Sequence, residues 1–115
     1  MMKHASQSRN VYEDFVVETD ILFFKTGSHG LVSFHGRNYN ITKRMTAEQL
    51  RGLLSDKTFY PVYSNCYVNV RKITALEQGV AYFGEMAPSA KRLRIPRWKQ
   101  EAIKRLMGSV EQFAT

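Results

Sequence analysis

The sequence predicts a single, mainly β domain supported by two helices, and three observations predict it. Short runs rich in aromatic and β-branched residues, bounded by Gly, Pro, Asn or Ser, recur along most of the chain, as strands and turns do. Helical spacing of apolar residues occurs in two segments, one central and one C-terminal. A length of 115 residues supports one domain with its own core and is too short for two. The expected organisation is a flexible N-terminal arm over residues 1–12, the folded domain over 13–108 and a C-terminal tail over 109–115.

Residues up to about Asn10 are polar and without pattern, as befits an arm. Phe15-Val16-Val17 and Ile21-Leu22-Phe23-Phe24 read as two strands around a turn at Glu18-Thr19-Asp20. Thr26-Gly27-Ser28-His29-Gly30 is a loop, with glycines available for unusual backbone angles. Leu31 to His35 and Tyr39 to Thr42 flank Gly36-Arg37-Asn38 as a hairpin. Thr46 followed by Gln49 fits the capping pattern in which a hydroxyl caps the helix start and the Gln side chain reaches back. Leu50, Leu53 and Leu54 then predict a short helix to about Ser55 with one buried face.

Phe59 to Arg71 has strand-like density broken once by Ser64-Asn65, a polar pair that marks a bulge or tight bend, with Val62, Cys66 and Val68 anchoring it from below. Lys72 to Glu77 and Val80 to Phe83 flank Gln78-Gly79 as another hairpin, and Glu85 to Ala90, containing Pro88, is a loop. Arg92-Leu93-Arg94-Ile95 alternates charge and apolar residue, the mark of a strand with one solvated face. Pro96 suits the first turn of the last helix. There Trp98, Ala102 and Leu106, with Ile103 and Met107 beside them, form the predicted core stripe. Gly108 is the predicted stop, although Val110 and Phe113 allow a longer element.

The net charge of +7 favours polyanionic partners, nucleic acid first and an anionic membrane surface second. The charge is uneven: Lys91, Arg92, Arg94, Arg97, Lys99, Lys104 and Arg105 crowd the C-terminal end against Glu101 alone, whereas the stretch to Phe24 is mildly acidic. A single cysteine, Cys66, cannot form an internal disulfide. No apolar run is long enough to span a bilayer and the first residues lack the apolar segment of a signal peptide. The expected location is therefore the cytoplasm, without direct membrane insertion.

Catalysis is not expected, and neither a cofactor nor a metal is implied. Cys66, His4, His29 and His35 are candidates by type only, without zinc-type spacing, and Cys66 reads as a small core residue. No glycine-rich phosphate loop is present. Arg97 stands out because it follows Pro96 at a helix start, a fixed corner from which a guanidinium can reach a base edge or a phosphate. An alternative is a small β-barrel that binds single-stranded nucleic acid or RNA by stacking bases on rings such as Phe23, Phe24, Tyr39, Phe59, Tyr60, Tyr63, Tyr67, Tyr82 and Phe83. Most of these rings occupy apolar strand patterns and read as core. A protein-interaction module is the third reading.

In element order and local motifs the chain resembles the LytTR DNA-binding domain of bacterial transcription regulators. Asp20-Ile21-Leu22-Phe23-Phe24 is similar to the family's opening strand, and the helix with Leu50, Leu53 and Leu54 matches next. Phe59-Tyr60-Pro61-Val62-Tyr63-Ser64-Asn65-Cys66-Tyr67-Val68-Asn69 is similar to its most recognisable run, with Ile73 at the expected distance. Ile95-Pro96-Arg97-Trp98 resembles its closing strand-to-helix corner. The match runs from about Phe15 to Met107.

The resemblance implies small stacked antiparallel β-sheets with one short middle helix and a C-terminal helix, binding duplex DNA in the major groove through loops rather than a recognition helix. It implies base or phosphate contacts for His29, Ser64, Asn65 and Arg97, with Lys91, Arg92 and Lys99 as nonspecific phosphate neighbours. It further implies a transcription regulator on promoter repeats, with a second copy on the DNA and a membrane-bound inhibitor protein as possible partners. The family's basic and histidine residues before the polar pair are replaced by Pro61 and Tyr63, and its frequent Arg, Lys or Asn at the first polar position is Ser64. Those departures predict a weaker contribution from the central turn and a larger one from Arg97.

Overall fold

A computed structural model describes the backbone of residues 11–12, 15–16, 20–84 and 90–114 and the side chains of 20–84 and 90–108. A two-stranded ribbon, β1 (Val11–Tyr12) with β2 (Phe15–Val16), precedes the main body. There β3 (Ile21–Thr26), β4 (Leu31–Gly36), β5 (Asn40–Arg44), β6 (Phe59–Tyr63) and β7 (Cys66–Asn69) form an antiparallel sheet in the order β5-β4-β3-β7-β6. A smaller antiparallel sheet has the order β10-β9-β8, from β8 (Ala75–Glu77), β9 (Val80–Tyr82) and β10 (Arg92–Arg94). Helix α1 (Ala47–Leu54) links β5 to β6, and α2 (Arg97–Ala114) follows β10.

The large sheet is covered on both faces. On one, Leu22, Phe23, Val62, Cys66 and Val68 pack with Ala81, Phe83, Leu93 and Ile95 of the small-sheet layer and with Ile103 of α2. On the other, Ile21, Phe24, Val32 and Phe34 pack with Met45, Phe59 and Leu53 of α1. Burial from both sides explains why β3 is continuously apolar instead of alternating. A register shift between Ile21 and Phe23 lets Leu22 and Phe23 face one cluster while Ile21 and Phe24 face the other.

That irregularity is held by Asn69, the buried polar residue of the described core. Its Nδ2 donates to the Ile21 carbonyl (3.1 Å), and its Oδ1 accepts from the Arg71 amide (3.2 Å), capping the short 3₁₀ turn Val70–Lys72. One amide thus joins the end of β7 to the start of β3.

Most expected elements appear with shifted details. The capping box at α1 is complete: the Gln49 amide donates to Thr46 Oγ1 (3.1 Å) and the Thr46 amide to Gln49 Oε1 (2.9 Å). Leu53 is buried, but Leu54 is 40% exposed and leaves the predicted face. β2 and β3 do not pair with each other; β2 pairs with β1 and β3 with β4 and β7. Val11 and Tyr12, expected in the arm, form a strand, while residues 1–10, the expected turn at 18–19 and residues 85–89, expected as a loop, lie outside the described ones.

Helix α2 starts at Arg97, just after Pro96, and continues through Gly108 to Ala114, so the boundary expected at 108 falls inside a helix. Its predicted core stripe is corrected. Ile103 is buried, whereas Trp98 is 78% exposed and Leu106 is exposed too. Two stripes spaced by four residues, 98/102/106 and 99/103/107, lie about 100° apart on the helix. Packing selects the second, with Met107 against the core and Lys99 Nζ 5.2 Å from the Tyr60 ring.

Asn69→Ala is expected to lower stability by about 2–4 kcal/mol, since it orphans a buried carbonyl and removes a cap. Urea denaturation should show a lower midpoint at unchanged slope.

Candidate nucleic-acid interface

The β3–β4 loop is fixed by backbone geometry that few residues accept. His29 adopts φ 59° and ψ 32° and Gly30 φ 77°. The Gly30 carbonyl accepts from the Met45 amide (2.7 Å), and a Cβ at Gly30 would lie 2.5 Å from the Met45 carbonyl oxygen. Only glycine fits so close an approach. Arg44 Nη1 donates to the His29 carbonyl (2.9 Å), so β5 braces the loop while the His29 side chain stays exposed.

The central turn is a β6–β7 hairpin in which Tyr63 pairs with Cys66 and Ser64 and Asn65 form the exposed tip. The register shift falls one step earlier, between Pro61 and Tyr63, with Val62 as the extra, buried residue. Bend and bulge are therefore both present, at adjacent positions. Val62, Cys66 and Val68 are buried beneath them.

Two hydrogen bonds join this tip to its neighbours. The Thr26 amide donates to the Asn65 carbonyl (2.9 Å), tying the tip to the start of the His29 loop. The Tyr63 hydroxyl donates to the Arg94 carbonyl (2.8 Å), tying it to the end of β10. From there Ile95 and Pro96 run inward and Arg97 emerges exposed as the first residue of α2. His29, Ser64, Asn65 and Arg97 thus lie on segments stapled together at one end of the fold. Lys99 follows on the first turn of α2, against the Tyr60 ring.

Lys91 lies elsewhere. Its Nζ donates to the Tyr39 carbonyl (2.6 Å) and to Asn40 Oδ1 (2.5 Å) at the β4–β5 turn, the opposite end of the sheet from His29. With β4 six residues long, that is about 20 Å at the usual rise per residue. Burial pushes the Lys91 amine below its ordinary pKa. Arg92 lies over the Tyr82 ring at 5.6 Å, on the outer side of β10.

Two of the titratable groups, Cys66 and His35, pack into the fold. Cys66 is buried, and burial pushes its thiol up to about 11. The His35 ring stacks on Phe23 with centroids 4.5 Å apart, and Ser33 Oγ lies 3.1 Å from its Nε2. Burial lowers its pKa, as do Lys91 and Lys25, against a hydrogen bond to the Asn40 side chain that raises it. His4 lies outside the described residues. Among the rings considered for base stacking, Phe23, Phe24, Phe59 and Phe83 are core, and the Tyr63 hydroxyl holds Arg94. The most exposed ring at the loop end is Trp98, which its helical spacing predicts in the core. Arg94, exposed on β10 beside the Tyr63 contact, is a second residue not singled out, although the charged–apolar alternation already pointed it outward.

The chain matches no family model and no curated protein. Among solved structures it is similar to one described as a LytTr DNA-binding domain from Bacillus cereus, with a TM-score of 0.51 and 13% sequence identity. The likeness covers 79% of this chain and 84% of that one. The fold is therefore LytTr-like. Among the described residues no helix is long and apolar enough to cross a membrane.

Gly30→Ala should destabilise the protein by about 2–4 kcal/mol, combining a left-handed backbone with a steric clash; thermal unfolding measures it. Cys66 should react with a disulfide reagent far more slowly in the native protein than in urea at pH 8. Its native rate should climb about tenfold per pH unit while pH stays below the thiol pKa.

Proposed function

We propose that this chain is a sequence-specific duplex DNA-binding transcription regulator that reads the major groove through loops. What carries the reading is the convergence of the His29 loop, the Ser64–Asn65 tip and the Arg97 corner, stapled by the Thr26–Asn65 and Tyr63–Arg94 hydrogen bonds, at one end of a LytTr-like fold. The similar Bacillus cereus structure is described as DNA-binding.

In this reading Arg97 donates to a guanine edge or a phosphate, Asn65 to an adenine edge, and His29 to a guanine or phosphate, with Ser64 beside them. Arg92 and Lys99 supply phosphate contacts that set affinity without sequence preference. Lys91, held at the far end, serves the fold first. The protein acts without catalysis or cofactor, in the cytoplasm. Two copies occupy promoter repeats under the control of a membrane-bound inhibitor protein. The single-strand alternative loses support because four of its nine proposed stacking rings, Phe23, Phe24, Phe59 and Phe83, are buried and two more, Tyr60 and Tyr67, pack against the core.

Arg97→Ala is expected to weaken specific duplex binding by about 1–3 kcal/mol and to reduce its salt dependence, whereas Lys91→Met changes affinity much less. Fluorescence anisotropy with duplexes selected from a random library tests both, with single-stranded competitors at fixed salt. Equal affinity of wild type and Arg97→Ala, or preference for single strands, would sink the reading.

A further inference from the structure

Trp98 is the largest side chain of the last helix and the chain's sole tryptophan, yet it is 78% exposed on the first turn of α2, next to Arg97. A tryptophan has more apolar surface to bury than any other side chain, so a partner that covers this one gains contact area. Its neighbourhood identifies the cover. Arg97, just before it, and Arg105, seven residues on and so on the same helix face, are exposed, with Glu101 as the one acid of the first turns. An apolar protein groove gains nothing from those cations. A duplex presents phosphates for the guanidinium groups and, between them, apolar deoxyribose faces and thymine methyls for the indole.

Resting on the DNA-binding reading above, we propose that Trp98 is a DNA-contacting residue that lays its indole on the deoxyribose and thymine-methyl surface beside the phosphate held by Arg97. The packing of α2 makes this possible: with Ile103 in the core and Lys99 against Tyr60, the side of the first turn that carries Trp98 is left outward at the loop end. The indole adds contact area without charge, so it strengthens binding without strengthening its dependence on salt.

As the chain's one tryptophan, Trp98 reports on itself. Purified full-length protein is titrated with a fluorescein-labelled selected duplex, following anisotropy for binding and, with unlabelled duplex, tryptophan emission and acrylamide quenching for Trp98. The expected result is a change in tryptophan emission that saturates with the anisotropy curve, together with protection from acrylamide. Trp98→Ala should weaken the duplex on the order of tenfold at an unchanged salt slope, and Trp98→Phe should restore part of the loss. The urea midpoint of Trp98→Ala should stay at the wild-type value, since the ring is outside the core. If the duplex binds but Trp98 stays as accessible to acrylamide as in the free protein, or Trp98→Ala binds equally well, the proposal is overturned and DNA binding stands. No anisotropy change with any duplex overturns both.

Discussion

The fold turns on the Asn69 carboxamide. A buried amide without partners would cost several kcal/mol, so its two hydrogen bonds decide whether this core is consistent. One bond fixes the Ile21 carbonyl beside the register shift of β3, and the other caps the turn that carries the chain toward the small sheet. Because of that shift, Leu22 and Phe23 serve one core and Ile21 and Phe24 the other. β3 is the middle strand of the large sheet, so its position sets where Thr26, and with it the loop end, is delivered. The candidate interface is therefore tied, through one strand, to a bond at the strand's opposite end.

Much of this architecture is legible in the sequence, and the exceptions have physical causes. Turn chemistry is local, so the hairpin around Gln78-Gly79, the Thr46–Gln49 capping box and the outward Arg92 and Arg94 follow from neighbouring residues alone. Trp98 is different. Two stripes of α2 offer comparable apolar surface, and the choice between them rests on Tyr60 and the small-sheet core, far away in sequence. The role of Asn69 is hidden for the same reason: its partner Ile21 is 48 positions away. For the candidate site, residue pattern alone singles out the Ser64-Asn65 bend and the Arg97 corner, whereas the His29 loop is implied only by the family resemblance. Their proximity, and the diversion of Lys91 to the β4–β5 turn, depend on pairings that no local pattern encodes.

Charge and rigidity are distributed to different places on the loop end. The His29 loop and the Ser64–Asn65 tip carry little charge, but their backbones are held by hydrogen bonds from Met45, Arg44 and Thr26. The α2 corner carries Arg94, Arg97 and Lys99. Long cationic side chains lose entropy when they engage phosphate, whereas braced turns are already ordered, so the two kinds of element complement each other in a recognition surface. In the proposed reading, sequence preference would come from the braced polar groups together with Arg97, and most of the affinity from the corner.

The residues that depart from the LytTR pattern fit this division. Pro61 lies on β6, an edge strand, where a missing amide costs no ladder bond inside the sheet. Tyr63 uses its hydroxyl to hold the Arg94 carbonyl and so trades a basic or imidazole side chain in the turn for a staple between turn and corner. Removing cationic reach from the tip while fastening the tip to Arg94 moves the electrostatic weight toward the start of α2, where Arg97 and the exposed indole of Trp98 stand together. Ser64-Asn65 is left with short side chains on a braced hairpin, a geometry that in the proposed DNA-binding reading suits discrimination more than capture.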